Sequence, residues 1–492
     1  MTARRDGLIL AALGVLAFGV TLYLCAPGYI GPDGRTQLHQ ARAFEFRDDH
    51  PVLMALIWHY LDRLLPGPAG MLVFISALYW AGLSALFGVL PGPIGWRALG
   101  LLAVGFFPPG FSTLPVLPKD AIMHGALLLA VACVVAPTRR ALGTRLAVSV
   151  ICFLIAVAVR HNAAAAVWPF LALPFMRVQI IARLSSWLRL VVGSAAGLVL
   201  SFAMTWGVDR ALAPLSQRTE FWQTVPTYDL AGMSLRSGKL LVDPDSPVFT
   251  QGMGLTEIQR LFHVEYGQYL YDCVPFGGRR CVHLFRRTQD PDELERLSQN
   301  WRSAIAQHPG AYLAHRWDVT RDMLTVNTTQ KRALYYLTGA PHGPLARQYP
   351  PSERLLWVLT FMERHIQSVV YSPWIYVVMS LLLLPFTLGR YLRGAPPLPL
   401  LLVLSGTAYM LSILVGASSS TYRYCVWTIL CTVLALFALM APQGIGALRL
   451  RALFTGRSGA PPASVTKPID AKRFSAGGAR ADCPWNSGYP SR

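Results

Sequence analysis

Uncharged apolar runs of roughly 20 residues recur at both ends of this chain, the length that crosses a bilayer as a helix. Inside a hydrocarbon layer every backbone polar group must find a partner within the protein, which leaves helices and closed barrels as the spanning structures. The runs read as spans over 7–26, 68–90, 97–109, 120–136, 146–159, 163–176, 190–206, 370–388, 396–414 and 424–441. Composition agrees: of 492 residues 53% are hydrophobic and only 14% charged, where soluble domains carry about 25%. The chain therefore reads as an all-α polytopic membrane protein with about ten transmembrane helices. That excludes a soluble enzyme, a disordered hub and a secreted disulfide scaffold.

The stretch 51–65 is interrupted by His59, Asp62 and Arg63 and reads as an interfacial helix rather than a span. With it set aside, loop parity can be tested against charge. Arg139, Arg140, Arg145, Arg177, Arg183, Arg189, Arg390, Arg393 and the basic tail from Arg449 fall on one side, and mostly single cations on the other. Cytoplasmic loops collect Lys and Arg, so both termini are expected in the cytoplasm. The same bias, with attraction to anionic headgroups, accounts for a formal net charge of +19. Nucleic acid is not expected as a partner, because no basic stretch is interleaved with aromatics.

The chain divides into an N-terminal membrane module (1–206), an outward, mainly helical insert (207–354), a C-terminal membrane module (355–441) and a basic tail (442–492) that reads as disordered from Gly456. In the insert, Asp290-Pro291 is a helix start, followed by an apolar stripe of Leu294, Leu297, Trp301 and Ile305. Thr256 and Gln259 have capping-box spacing. His308-Pro309 breaks the chain before a second amphipathic run with Tyr312, Leu313 and Trp317. Cys273 and Cys281 flank Gly277-Gly278, so a hairpin would set them opposite each other, as a disulfide in an oxidising compartment or as two free thiols. Asn327-Thr328-Thr329 matches a short glycosylation sequon. No Cys/His spacing resembles a zinc site.

Ionisable residues at span ends are functional candidates because they are costly to desolvate. Parity puts all such clusters on the outward side. The first outward loop, 26–50, holds Asp33, His39, Glu45, Arg47, Asp48, Asp49 and His50. The next ends in Lys119-Asp120, the third reads Arg160-His161-Asn162, and the last runs from Ser418 to Tyr424 and includes Arg423. Group transfer from a lipid-linked phosphate needs a carboxylate to take a proton from the attacking hydroxyl and cations to stabilise the departing phosphate. Asp33, Asp48, Asp49 and Asp120 supply the first; Lys119, Arg160 and Arg423 supply the second. Several also have a plain structural alternative: Asp33 and Asp120 as helix caps, Lys119 and Arg423 reaching to headgroups, His50 and His161 as hydrogen-bond partners; Arg160, between two strongly apolar runs, is less easily explained that way.

On these residues the chain resembles the GT-C superfamily of integral-membrane glycosyltransferases, which includes protein O-mannosyltransferases and bacterial transferases that modify lipopolysaccharide. Its members place an acid in the first outward loop, as Asp33 stands, and often a His-Pro at the loop's end, as His50-Pro51 does. Lys119-Asp120 is similar to their acidic position in a second outward loop, and Arg423-Tyr424 to an Arg-Tyr pair near the last spans. The O-mannosyltransferases also insert an outward domain after seven spans. The resemblance implies sugar transfer from a polyprenyl-phosphate donor to a glycan, lipid or protein acceptor on the outward face. Asp33 or Asp49 would be the base and Asp120 a second acid that orients the acceptor. Lys119, Arg160 and Arg423 would bind donor phosphate, with His50, His161 and Tyr424 supporting. Many relatives carry two adjacent acids in the first motif, whereas Gly34 follows Asp33 here and the literal pair is Asp48-Asp49. The residues leave open whether a divalent metal joins the acids; no other cofactor is expected.

Two other readings remain: an O-antigen polymerase or ligase, which tends to rely on basic residues in later loops, and a lipid or glycolipid transporter or flippase, which predicts ionisable groups near mid-span. The Arg- and Ala-rich composition with few Lys hints at a GC-rich bacterial genome and hence an inner-membrane location.

Overall fold

Every apolar run folds as a helix. The computed structural model describes residues 2–136, 141–265, 267–271, 274–276, 279–326 and 347–441. Among these, seven helices are long and apolar enough to cross a membrane: Arg4–Cys25, Ala69–Val89, Leu142–Val159, Ser186–Leu215, Pro373–Leu392, Leu398–Gly416 and Tyr422–Met440. The fold is that of an all-α membrane protein. Three further runs give shorter helices, Ile94–Gly105 of 12 residues, Lys119–Val135 of 17 and Ala163–Met176 of 14. At 1.5 Å per residue these reach about 18, 26 and 21 Å, short of a hydrocarbon core of about 30 Å.

Local chemistry explains one of the short ones. Phe107-Pro108-Pro109 follows the Ile94–Gly105 helix, and a residue before proline is pushed out of the helical region. The chain then runs through a short turn at Pro108–Phe111 and a buried irregular stretch to Pro118. There Ser112 and Thr113 donate to the carbonyls of Pro109 and Gly110 at 2.9 and 2.8 Å, as buried non-helical backbone requires. Ala163–Met176 carries Pro169 and Pro174 inside it. Lys119–Val135 is buried around most of its circumference, with neighbours Ala69–Val89, Leu142–Val159 and Ala163–Met176.

Small residues let these helices approach closely. A Cβ on Gly125 would meet Leu78 Cγ and the Tyr79 amide nitrogen at 2.9 Å, and one on Gly82 would meet the Gly125 carbonyl at 2.9 Å. Gly193 and Gly197, four apart, seat Ser186–Leu212 against Ala172 and the Trp168 carbonyl. From there packing continues through Leu398–Gly416 to Val426–Met440 and Pro373–Leu392.

The stretch expected to lie against the membrane is the helix Val52–Leu64. It packs against Pro32–Ala43, tied by Arg42 to Asp62 at 2.8 Å. In the insert, the Pro291–Gln307 helix is capped by Asp290, whose side chain accepts from the Asp292 amide, and buries Leu297 as expected. The capping box is displaced: Glu257 reaches back to the Gly254 amide at 2.8 Å, two residues before the Thr256 start read from spacing. After His308 the Pro309–Met323 helix buries His315, Arg316, Val319 and Met323. Leu313 and Trp317 of the amphipathic run are 66% and 60% exposed.

Strands Val274–Phe276 and Arg279–Val282 pair antiparallel, as the hairpin reading expects. Cys273, the Cys281 side chain, the Asn327 sequon and the basic tail lie outside the described residues.

Candidate active site

Four segments far apart in sequence end at one place. Helix Pro32–Ala43 begins with Gly31 as its N-cap and proline in its first turn, which puts Asp33 at its start. Lys119–Val135 likewise starts after Pro118, with Lys119 and Asp120 as its first residues. Leu142–Val159 stops at Arg160, whose backbone is extended. Arg423 sits in the short turn Tyr422–Cys425 that leads into Val426–Met440.

Neither acid caps its own helix. Arg423 Nη2 donates to Asp33 Oδ2 at 2.5 Å, and Arg423 Nε lies 3.7 Å from Asp120 Oδ2. Arg160 Nε is 3.0 Å from Asp120 Oδ1 and donates to the Tyr409 hydroxyl at 3.0 Å. The two guanidinium groups flank the Tyr424 ring, at 4.2 Å for Arg160 and 5.6 Å for Arg423, a cation–π arrangement that favours desolvated arginine. Ser419 donates to the Tyr424 hydroxyl at 3.3 Å. Lys119 Nζ stands 3.3 Å from His50 Nδ1.

Exposure sorts the roles. The Asp120 side chain is 0% exposed and that of Arg160 is 9% exposed, whereas those of Asp33 and Arg423 are 26% and 19% exposed. Asp120, expected as a second acid that orients the acceptor, is enclosed and lies against both arginines. Arg160 is likewise committed to Asp120, Tyr409 and Tyr424. Lys119 and Arg423 remain as the cations nearest solvent. Partial burial works to raise the Asp33 pKa, but Arg423 above all outweighs it and holds the carboxyl well below the usual carboxylate range. Burial first, then the Lys119 charge, pushes His50 down to about 4, so it is neutral at physiological pH.

Three other candidates have their partners elsewhere. Asp49 accepts from Gln40 Nε2 at 2.9 Å, which fixes the loop rather than the cluster. Its neighbour Asp48 clasps the insert, accepting from the Thr219 and Glu220 amides at 2.8 and 3.1 Å beside the paired strands Phe46–Arg47 and Ser216–Gln217. His161 is exposed and 3.6 Å from Asp209. The extended backbone at Arg160 sends adjacent side chains to opposite sides, Arg160 inward and His161 outward.

Several participants carried no sequence signal. Tyr409 is one polar atom inside an apolar run. In the insert, the fully buried Asp229 accepts from Arg316 Nη2 at 2.7 Å and Trp301 Nε1 at 3.0 Å, and lies 3.1 Å from His315 Nε2. Arg316 Nη1 reaches the Ala417 carbonyl at 2.7 Å. The Gly267 amide donates to the Ser418 carbonyl at 3.0 Å, and Ser420 hydrogen-bonds Asp322. The insert thus grips the segment that leads into Arg423.

Among the described residues no group of three or more His, Cys, Asp or Glu side chains is placed to hold a metal ion. No family model, no curated protein and no solved structure matches the chain.

Proposed function

We propose that this chain is a membrane glycosyltransferase that moves a sugar from a polyprenyl-phosphate donor to an acceptor hydroxyl. The observation that supports this reading is the meeting of Asp33 and Arg423 beside Lys119, Asp120 and Arg160 at one end of the helix bundle. Two carboxylates against three cations leave a net positive charge there, which suits a phosphate anion presented at the membrane surface. In this reading that end faces the periplasm of a bacterial inner membrane, the bundle has about ten spans including the three short helices, and both termini are cytoplasmic.

Asp33 serves as the general base. The acceptor's O–H proton passes to an Asp33 oxygen while the acceptor oxygen bonds to the anomeric carbon. The bond from that carbon to the phosphate oxygen breaks, and polyprenyl phosphate leaves with the electron pair. Attack opposite the leaving group inverts the anomeric centre. Lys119 and Arg423 stabilise the charge that gathers on the leaving phosphate; Asp120, Tyr409 and Tyr424 hold the arginines in place.

Mass spectrometry of envelope glycans in a deletion strain tests the reaction class. Loss of a single sugar mass, restored by the wild-type gene, is the expected result. A collapsed polymer-length ladder would instead assign a polymerase.

A further inference from the structure

Arg423 is contested. Its Nη2 is held by Asp33 at the solvent-reaching edge of the cluster, while its Nε faces Asp120 at 3.7 Å without a hydrogen-bond partner. Arg160 is fixed by Asp120, Tyr409 and the Tyr424 ring. Lys119 is fixed near His50. Arg423 is therefore the guanidinium best placed to turn toward an arriving phosphate, and in turning it gives up the Nη2 hydrogen bond that now serves Asp33. Asp120, enclosed behind it, keeps it anchored at either position.

We propose that Asp33 and the donor phosphate compete for Arg423, so that phosphate binding releases the Asp33 carboxylate for its role as base. The inference rests on the transferase reading and adds to it a coupling between donor binding and base activation. A carboxylate clasped by arginine is a poor proton acceptor, and loss of the arginine raises its proton affinity. In the unloaded protein the Asp33 carboxylate stays paired and is a weak base.

The competition makes an unusual prediction: removing the base tightens lipid-phosphate binding. The test uses the full-length protein in nanodiscs of neutral phosphatidylcholine, with undecaprenyl phosphate as probe and melting temperature as a check on folding. Asp33→Asn should bind the probe about two- to fivefold more tightly than wild type, the range expected when a partly exposed ion pair is removed. Asp33→Ser should do the same. Arg423→Gln should weaken binding about tenfold or more, and the double variant Asp33→Asn/Arg423→Gln should show no gain over Arg423→Gln alone. Asp49→Asn should match wild type. If wild type binds and Arg423→Gln weakens it, but folded Asp33→Asn and Asp33→Ser bind no more tightly, the competition is wrong and the transferase reading stands. If wild type binds no more probe than empty nanodiscs, the transferase reading falls and the competition with it.

Discussion

Asp33 and Arg423 stand 390 positions apart in the chain, and their side chains meet at 2.5 Å. One belongs to the loop after the first helix and the other to the turn before the last described one, so the contact exists only when the whole bundle is assembled. The consequences can be measured residue by residue.

Asp120 is the counter-charge for two arginines in a space closed to water. Asp120→Ala leaves Arg160 without a carboxylate partner and Arg423 with Asp33 alone, and should cost about 3–5 kcal/mol, the usual penalty for stranding a buried charge. Asp120→Ala/Arg160→Met should recover part of that loss. Thermal melts of the detergent-solubilised variants check this, and an unchanged melting temperature for Asp120→Ala would contradict the burial of the pair.

His50 gives the fold a pH dependence with a definite sign. Burial, then Lys119, lowers its pKa from 6.5 to about 4, so between those values the unfolded chain takes up a proton that the folded chain refuses. Stability from this group is complete above the unfolded value and is lost as pH falls toward the folded one. Melting temperature should decline from pH 6.5 to 4 in wild type, and the decline should be shallower in His50→Gln. An identical slope in both would show that His50 is solvated in the folded protein.

Arg316 links a buried carboxylate of the insert to the Ala417 carbonyl. Arg316→Met should destabilise the insert by about 2 kcal/mol or more, since hydrogen bonds to charged groups are the stronger kind. Amide exchange over 417–421, followed by mass spectrometry, should speed up while exchange in Ala69–Val89 stays slow. Equal exchange in wild type and variant would mean that the segment is held by other contacts.

How far the sequence carried these conclusions depended on the kind of signal. Apolar run length marks a helix directly, and every run formed one; the 97–109 run stopped short where Pro108-Pro109 intervened, whereas the 163–176 run kept its ends with Pro169 and Pro174 inside it. Loop parity gathered Asp33, Lys119, Asp120, Arg160 and Arg423 on one side, and the structure draws them together at one end. Parity says nothing about which way a side chain turns. Asp33, Asp48 and Asp49 are alike in a charge count, yet one meets Arg423, one the Thr219 amide and one Gln40. His161 follows Arg160 in sequence but turns away because the backbone there is extended. Tyr409 and the Asp229–Arg316 pair are defined by partners far away in the chain, and such pairings leave no local pattern to read.

The central claim is that Asp33 acts as the base in sugar transfer. It is tested most directly by complementing a deletion strain with wild type, Asp33→Asn or Asp49→Asn at equal membrane levels, and weighing the envelope glycans. General-base loss costs about 10²–10⁴-fold in rate, so wild type and Asp49→Asn should restore the missing sugar mass while Asp33→Asn should not. Full restoration by Asp33→Asn would contradict the claim.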